Sequence, residues 1–167
     1  MLSLVERTMF LRGVLPFAGV PSNQLRTLAA VTKEIEIGQD AMLLVAGSSG
    51  DAFYVVIAGQ IVLEEAHGAV GSVARIGIVG PGEALGEDTV FDGGTRVVNA
   101  TAVTDCRLLA VERGALLALL DKQPSLARAL IIWLSVRLRE TNFKLAECTR
   151  SRPRSIVRLF DQIGAEG

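Results

Sequence analysis

The sequence predicts a mainly β fold of the α+β class: an antiparallel jelly-roll (double-stranded β-helix) barrel with helices at both ends. Three observations predict it. Short apolar segments with a period of two recur through residues 32–112. Turn signals rich in glycine, aspartate and proline separate these segments. Helical patterns flank this region on both sides, which favours a barrel over βαβ units.

Residues 1–31 predict a helical segment before the barrel. Apolar side chains within residues 2–14 recur at helical spacing, and Pro16 is expected to stop or turn that helix. A second helix is expected next, with Ser22 as its N-cap and apolar residues following at spacings of three and four.

The barrel is expected to occupy residues 32–112. Each predicted strand is short and ends at a turn signal, such as Ala58-Gly59 or Asp92-Gly93-Gly94. The expected strands cover residues 34–37, 41–46, 53–58, 60–65, 72–79, 97–104 and 107–112.

Residues 113–167 are expected to form C-terminal helices. A short helix covers residues 112–120, and Pro124 suits the first turn of a long helix after it. That helix carries a seam with heptad spacing, made of Ala127, Ile131, Leu134, Leu138, Thr141, Leu145 and Cys148. Two interpretations stay open: the seam packs on its own barrel, or it pairs with a second copy in a homodimer.

Composition narrows the function classes. Hydrophobic residues make up 50% of the 167 residues, which favours an additional apolar interface between subunits. The net charge of −1 creates no overall electrostatic attraction to nucleic acid or to a membrane. The longest apolar run, Ala129 to Leu134, is too short to span a membrane, and the N-terminus does not read as a signal peptide. Two cysteines favour a reducing, cytoplasmic location over a disulfide framework.

Enzymatic motifs do not emerge from the sequence. The glycines near Pro81 do not match a dinucleotide-binding fingerprint, and there is no P-loop. The single histidine, His67, allows no histidine-based triad, and it shares no metal-ligand spacing with the cysteines. We therefore expect a binding protein without catalytic residues, metal or cofactor.

The most informative stretch runs from Gly82 to Ala102. It contains Gly86-Glu87, a turn, and then a single Arg96. A carboxylate can accept hydrogen bonds from a sugar hydroxyl, and a guanidinium can hold a phosphate through two parallel N–H groups. Glycine lets backbone amides approach an anion closely. A sugar and a phosphate side by side describe a nucleotide.

This stretch resembles the phosphate-binding cassette of cyclic nucleotide-binding domains. Residues 81–87 match the lead into the cassette, and residues 50–61, Gly-Asp-Ala-Phe-Tyr-Val-Val-Ile-Ala-Gly-Gln-Ile, resemble the family's Gly-Asp-x-x-Tyr-Val-Val-x-x-Gly-x-Val hairpin. The resemblance implies that Glu87 accepts the ribose 2′-hydroxyl and that Arg96 neutralises the cyclic phosphate. The ligand-binding residues it implies are Leu85, Gly86, Glu87, Asp88, Arg96, Val97, Val98, Thr141 and Asn142.

Several residues depart from the family pattern. Thr95 replaces the proline before the arginine, and Val97 and Val98 stand where small or hydroxyl residues are usual. Asp88 and Thr89 replace an apolar–small pair, and the charge of Asp88 is unfavourable beside a phosphate unless it points to water. A degenerate pocket therefore stays open as an alternative.

Thr141 and Asn142 align with a part of the long helix that touches the purine in regulators of the catabolite activator type. Polar residues within a helical seam also set register, so both roles stay open. Arginines 150, 152 and 154 lie at the helix end, where a solvated terminus is the ordinary interpretation. The few residues after Pro153 cannot supply a helix-turn-helix, so no nucleic-acid binding is expected from this chain alone.

The predicted function is a regulatory module that senses a cyclic nucleotide and transmits occupancy through its C-terminal helix. Among the cyclic nucleotides, cAMP is the favoured ligand. Two alternatives stay open. The barrel could be degenerate and serve dimerisation or docking, or the chain could be the sensor half of a DNA-binding transcription regulator.

Overall fold

The structure is a computed structural model that describes residues 1–66 and 73–150. It contains two compact units, of which the first is Met1–Leu130 and the second begins at Ile131. Within the described residues, no helix is both long enough and apolar enough to cross a bilayer.

Two antiparallel four-stranded sheets form the body of the first unit. One has the strand order β1-β8-β3-β6 and the other the order β2-β7-β4-β5. Neighbours in these sheets are mostly distant in sequence, as a jelly roll requires. The strands are β1 Lys33–Ile37, β2 Met42–Leu44, β3 Ala52–Ala58, β4 Ile61–Ala66, β5 Val73–Val79, β6 Ala84–Leu85, β7 Asn99–Ala102 and β8 Cys106–Glu112.

The core lies between the two sheets and follows from the alternation of apolar residues. In β3, Val56 points inward with Tyr54, whereas Phe53 packs edge-on against Phe17 from the N-terminal segment, with ring centroids 6.2 Å apart. The hairpin between β3 and β4 turns at Gly59, whose φ of 93° is in the region that glycine favours. The buried cluster between the sheets comprises Leu44, Val56, Ile61, Val79, Leu85, Ala100, Ala102, Cys106 and Leu108.

Helices flank the sheets on both sides in sequence. The first is capped by Ser3, whose Oγ accepts from the Glu6 N–H at 3.3 Å while the Glu6 carboxylate accepts from the Ser3 N–H at 2.7 Å. Pro124 is the first residue of the longest helix, as expected. The helices are α1 Leu4–Arg12, α2 Ser22–Val31, α3 Glu87–Val90, α4 Arg113–Lys122 and α5 Pro124–Arg150.

The fold class predicted from the sequence is confirmed, with local corrections. Ser22 is not the N-cap of α2: Pro21 takes that position, and the Ser22 hydroxyl accepts a hydrogen bond from Arg12 Nη2 at 2.8 Å instead. The strand predicted over 97–104 shortens at both ends to β7, and at its start the Val97 N–H donates to the Asp88 carboxylate rather than to a neighbouring strand.

Some sequence predictions fall outside the described residues. These are the turn containing His67, the side chain of Cys148, and the segment beyond residue 150 with Arg152, Pro153 and Arg154. Cys106, in contrast, is described and is a buried free thiol.

Candidate ligand site around Arg96

Gly86 shapes the start of the candidate site. It joins β6 to α3 with φ of 90°, a left-handed conformation that a side chain would strain. A Cβ at this position would also lie 2.8 Å from the Ala52 carbonyl oxygen and 3.2 Å from Arg96 Nη1. Glycine is therefore needed here because of the left-handed backbone and the close Ala52 carbonyl, and the Arg96 guanidinium also lies near this position.

Arg96 is the buried charge of the site, with a relative exposure of 3%. Its Nη2 donates to the Ala52 carbonyl oxygen at 3.0 Å, which ties the guanidinium to the start of β3. The Asp51 carboxylate lies 3.7 Å from the same nitrogen. A buried guanidinium needs a partner such as the Ala52 carbonyl because an unpaired buried charge is costly. The Asp51 side chain is 81% exposed, so its ion pair contributes little.

The backbone around Arg96 is anchored to the loop that precedes β3. The Arg96 N–H donates to the Ser48 carbonyl and the Gly47 N–H donates to the Arg96 carbonyl, both at 2.8 Å. Next to these bonds, Ser49 and Thr95 form an isolated antiparallel bridge. Beyond it, the Gly50 N–H donates to the Gly94 carbonyl. The loop is thus fixed on both sides of Thr95, the residue that replaces the family's proline.

Asp88 does not point to water. Its Oδ1 lies 3.5 Å from Arg96 Nη1, and its Oδ2 lies 3.5 Å from the Val97 backbone nitrogen. The side chain is 27% exposed, so the carboxylate is largely enclosed on the Arg96 side. This extra charge therefore faces the guanidinium to which the resemblance assigns the phosphate, and also the neighbouring Val97 amide.

The first unit brings most of the predicted ligand-binding residues together. Leu85 is buried in the core between the sheets, and Glu87 is half-buried at the first position of α3. Val97 is exposed and Val98 half-buried in the segment leading to β7. This segment and α3 thus meet where Asp88 contacts Arg96 and the Val97 amide.

Thr141 and Asn142 belong to the second unit, where both are exposed. The Thr141 hydroxyl donates to the Arg137 carbonyl at 2.9 Å, a bond to the preceding turn that many helical threonines make. A purine contact by these two residues stays a prediction.

Sequence reasoning missed the residues that lie next to Arg96 Nη2. Asp51 and Ala52 lie more than forty positions before it, and their motif was interpreted only as part of a hairpin. Gly50 begins the same motif, and a Cβ there would lie 2.0 Å from Thr89 Oγ1, so this glycine allows the loop to pack on α3. The Gly-Asp pair was the available signal.

A depression of about 680 Å³ lies near Asp51, Ala52 and Tyr54, but neither Arg96 nor Glu87 lines it. It therefore does not include the two side chains to which the resemblance assigns the phosphate and the ribose. We do not assign it to the phosphate.

The pKa of Tyr54 depends on its burial and on the charges of Asp51 and Arg96. Burial raises the pKa of its hydroxyl above the usual value of about 10, and the Asp51 carboxylate raises it further, whereas Arg96 opposes the shift. Tyr54 is the only tyrosine in the chain, so tyrosinate absorbance measures it without interference.

We expect the Tyr54 hydroxyl to titrate at higher pH in the folded protein than in the urea-unfolded protein. Because the folded pKa is the higher one, the free energy of unfolding should fall as pH rises above about 10. Asp51→Asn should lower the folded pKa and Tyr54→Phe should remove the signal. A folded pKa at or below the unfolded one would contradict this placement.

The fold and the site together define a class: a jelly-roll ligand-binding domain with a buried arginine beside a glycine–acid loop. Comparison with known proteins names the family. The family model "Cyclic nucleotide-binding domain" matches residues 34–123, and the chain belongs to this family. The resemblance identified from the sequence is thereby confirmed.

Individual relatives agree with this assignment. The "CRP-like cAMP-activated global transcriptional regulator" of Mycobacterium tuberculosis is 28% identical over 131 residues, 78% of this chain and 58% of the relative. The crystal structure of Thermus thermophilus catabolite activator protein superposes with a TM-score of 0.73 at 30% identity, covering 80% of this chain and 62% of that one. The N-terminal domain of a Streptomyces coelicolor transcriptional regulator gives a TM-score of 0.68 at 34% identity, with coverages of 80% and 94%. The chain thus spans less than two thirds of the first two proteins.

Proposed function

We propose that this chain is a regulatory module that binds cAMP and reports its occupancy through the C-terminal helix. The barrel at residues 32–112 is the binding part and residues 113–167 are the reporting part. The observation that carries the proposal is the buried guanidinium of Arg96, fixed beside Gly86-Glu87 and next to the backbone amide of Val97. The M. tuberculosis relative, named as cAMP-activated, supports the choice of nucleotide.

Each side chain has a defined task in this proposal. Arg96 and the Val97 N–H bind the cyclic phosphate, and Glu87 accepts the ribose 2′-hydroxyl. Thr141 and Asn142 on α5 contact the purine. No bond is made or broken in the ligand, so the module is not an enzyme.

Signal transmission follows from a shift of populations. A ligand favours whichever conformation it binds more tightly, by no more than its difference in affinity for the two. Helix α5 begins in the first unit and continues into the second, so it is the element through which occupancy of the barrel is reported.

Saturating cAMP is expected to raise the melting temperature of the full chain. Ligand at a hundred times its dissociation constant stabilises the folded state by about 2.7 kcal/mol. Calorimetric titration with cAMP, cyclic GMP and a cyclic dinucleotide then gives the selectivity. Cyclic GMP should not bind more tightly than cAMP, because Val97 and Val98 offer no hydroxyl to a guanine edge. Absence of any thermal shift or heat with millimolar cAMP would refute the proposed function.

We further propose that the module forms a homodimer through the seam on α5. Ile131, Leu138 and Leu145 occupy heptad positions and are exposed in this chain. Exposed apolar area of this kind is unfavourable in water by about 25 cal/mol per Å², which a second copy of the helix would remove.

A degenerate, ligand-free docking module is the second candidate. The observation that favours it is the Asp88 carboxylate, which places negative charge at the donors meant for phosphate. The calorimetric titration distinguishes the two candidates, since a docking module releases no heat with any nucleotide. A role as the sensor half of a transcription regulator is tested by the full-length reading frame.

A further inference from the structure

One carboxylate faces both donors of the candidate phosphate site. Asp88 Oδ1 is directed at Arg96 Nη1 and Oδ2 at the Val97 N–H, each at 3.5 Å. The Thr89 hydroxyl also donates to Oδ1, at 3.3 Å. A side-chain cation, a backbone amide and a hydroxyl therefore converge on a single internal anion.

We propose that the Asp88 carboxylate is a built-in competitor, which occupies the position of the ligand phosphate and must be displaced when a cyclic nucleotide binds. This inference rests on the proposed function for the identity of the ligand. The anion site itself does not depend on the proposed function, because it is defined by Arg96, Val97 and the Asp88 carboxylate.

The contacts are of a kind that a ligand can displace. Distances of 3.5 Å are at the outer limit of hydrogen bonding, so both bonds are weak. Because the Asp88 side chain is 27% exposed, its carboxylate can rotate into water. Arg96 would stay in place, since its other terminal nitrogen is held by the Ala52 carbonyl at 3.0 Å. Displacement thus requires movement of one side chain, with the site otherwise formed.

Competition lowers affinity because two anions cannot share the same two donors. A phosphate that enters while Asp88 remains would meet a like charge at short range. In the family pattern an apolar residue stands at this position, so the competitor is a property of this chain. The sensor therefore needs a higher concentration of cyclic nucleotide before its site is occupied.

The test compares Asp88→Asn with the wild-type chain. This substitution removes the charge and keeps the size, and Asp88→Ala is a second variant that removes the group altogether. Asp51→Asn is the matched control: Asp51 lies 3.7 Å from the other terminal nitrogen of Arg96 and is largely exposed. It removes the same charge near the same guanidinium but does not face the Val97 amide.

Two probes are used on each protein. Calorimetry measures the affinity for cAMP, and the ¹H–¹⁵N resonance of Val97 measures the binding of inorganic phosphate. We expect both Asp88 variants to bind each probe about tenfold more tightly than wild type, as for the loss of one competing charge-assisted interaction. Asp51→Asn should change either affinity by less than about threefold, as for an exposed ion pair.

The outcomes separate the two proposals. Equal affinities of wild type and the Asp88 variants, or an equal gain in Asp51→Asn, would overturn the competitor while leaving cAMP binding in place. If no protein binds cAMP but phosphate shifts the Val97 resonance more readily in the Asp88 variants, the proposed function fails and the competitor stands. No response to either probe in any protein would overturn both.

Discussion

Replacing Arg96 with alanine is expected to remove most cAMP binding. The guanidinium is buried, and the Asp88 carboxylate that it contacts also faces the Val97 amide. Truncating one partner of a desolvated charge pair costs about 2–5 kcal/mol, which corresponds to about a 30- to 4,000-fold loss of affinity. Calorimetric titration measures it directly.

The same substitution is also expected to destabilise the barrel. Without the guanidinium, the Ala52 carbonyl loses its donor at 3.0 Å, and a buried unpaired acceptor costs about 1–3 kcal/mol. Circular dichroism must therefore show that the variant is folded at the temperature of the titration. Arg96→Lys is a second variant, which keeps the charge but loses the planar pair of donors and should bind with intermediate affinity.

A matched control is available on β5. Arg75 is exposed on the edge strand β5 and is not among the residues that contact Arg96, so Arg75→Ala removes the same charge and should leave affinity unchanged within about twofold. A folded Arg96→Ala protein with wild-type affinity would show that the phosphate binds elsewhere, and it would remove the basis of the assignment.

Replacing Leu138 with glutamate is expected to convert the dimer to a folded monomer. Leu138 lies at the centre of the heptad seam and is 62% exposed in this chain. Across a two-fold axis the substitution would bring two carboxylates together in an apolar interface. Burying such a charge without a partner costs several kcal/mol per ion, so the dimer should weaken by about a hundredfold or more.

Sedimentation with and without cAMP measures this change. Phe143→Glu is the control, because Phe143 is on the same helix, exposed and off the heptad positions. It adds the same charge and should leave the dimer intact. A wild-type chain that stays monomeric at high micromolar concentration, with and without ligand, would refute the seam as an interface. An unfolded Leu138→Glu protein would instead favour packing of the seam on its own barrel.

The strands could be predicted from the sequence because apolar and polar side chains alternate with a period of two in a half-buried strand. Alternation around Glu34 and Glu36 placed β1, and the apolar run through Val55 and Val56 placed β3. Turn residues were equally direct: Gly59 and Gly93 both have positive φ, which few other residues tolerate. These signals are local, so no tertiary information was needed to interpret them.

Element boundaries depended on contacts that are not local. The sequence favoured Ser22 as a helix cap from residue type alone, but Arg12 uses its hydroxyl. The strand predicted over residues 97–104 is shorter at both ends, and at its start the Val97 N–H donates to the Asp88 side chain instead of to a neighbouring strand. Residue preferences cannot reveal a competing partner that is distant in the chain.

The sequence by itself determined the family and the jelly roll, and it predicted Gly86, Glu87 and Arg96 as ligand-binding residues, because short spacings and required glycines carry that information. Only the tertiary structure decided what surrounds the guanidinium. It brought the Ala52 carbonyl to one terminal nitrogen and the Asp88 carboxylate to the other. The sequence left Asp88 free to point to water, since a side-chain direction is set by the donors available in space. Here those donors are Arg96 and the Val97 amide, which the bridge to the preceding loop holds in place.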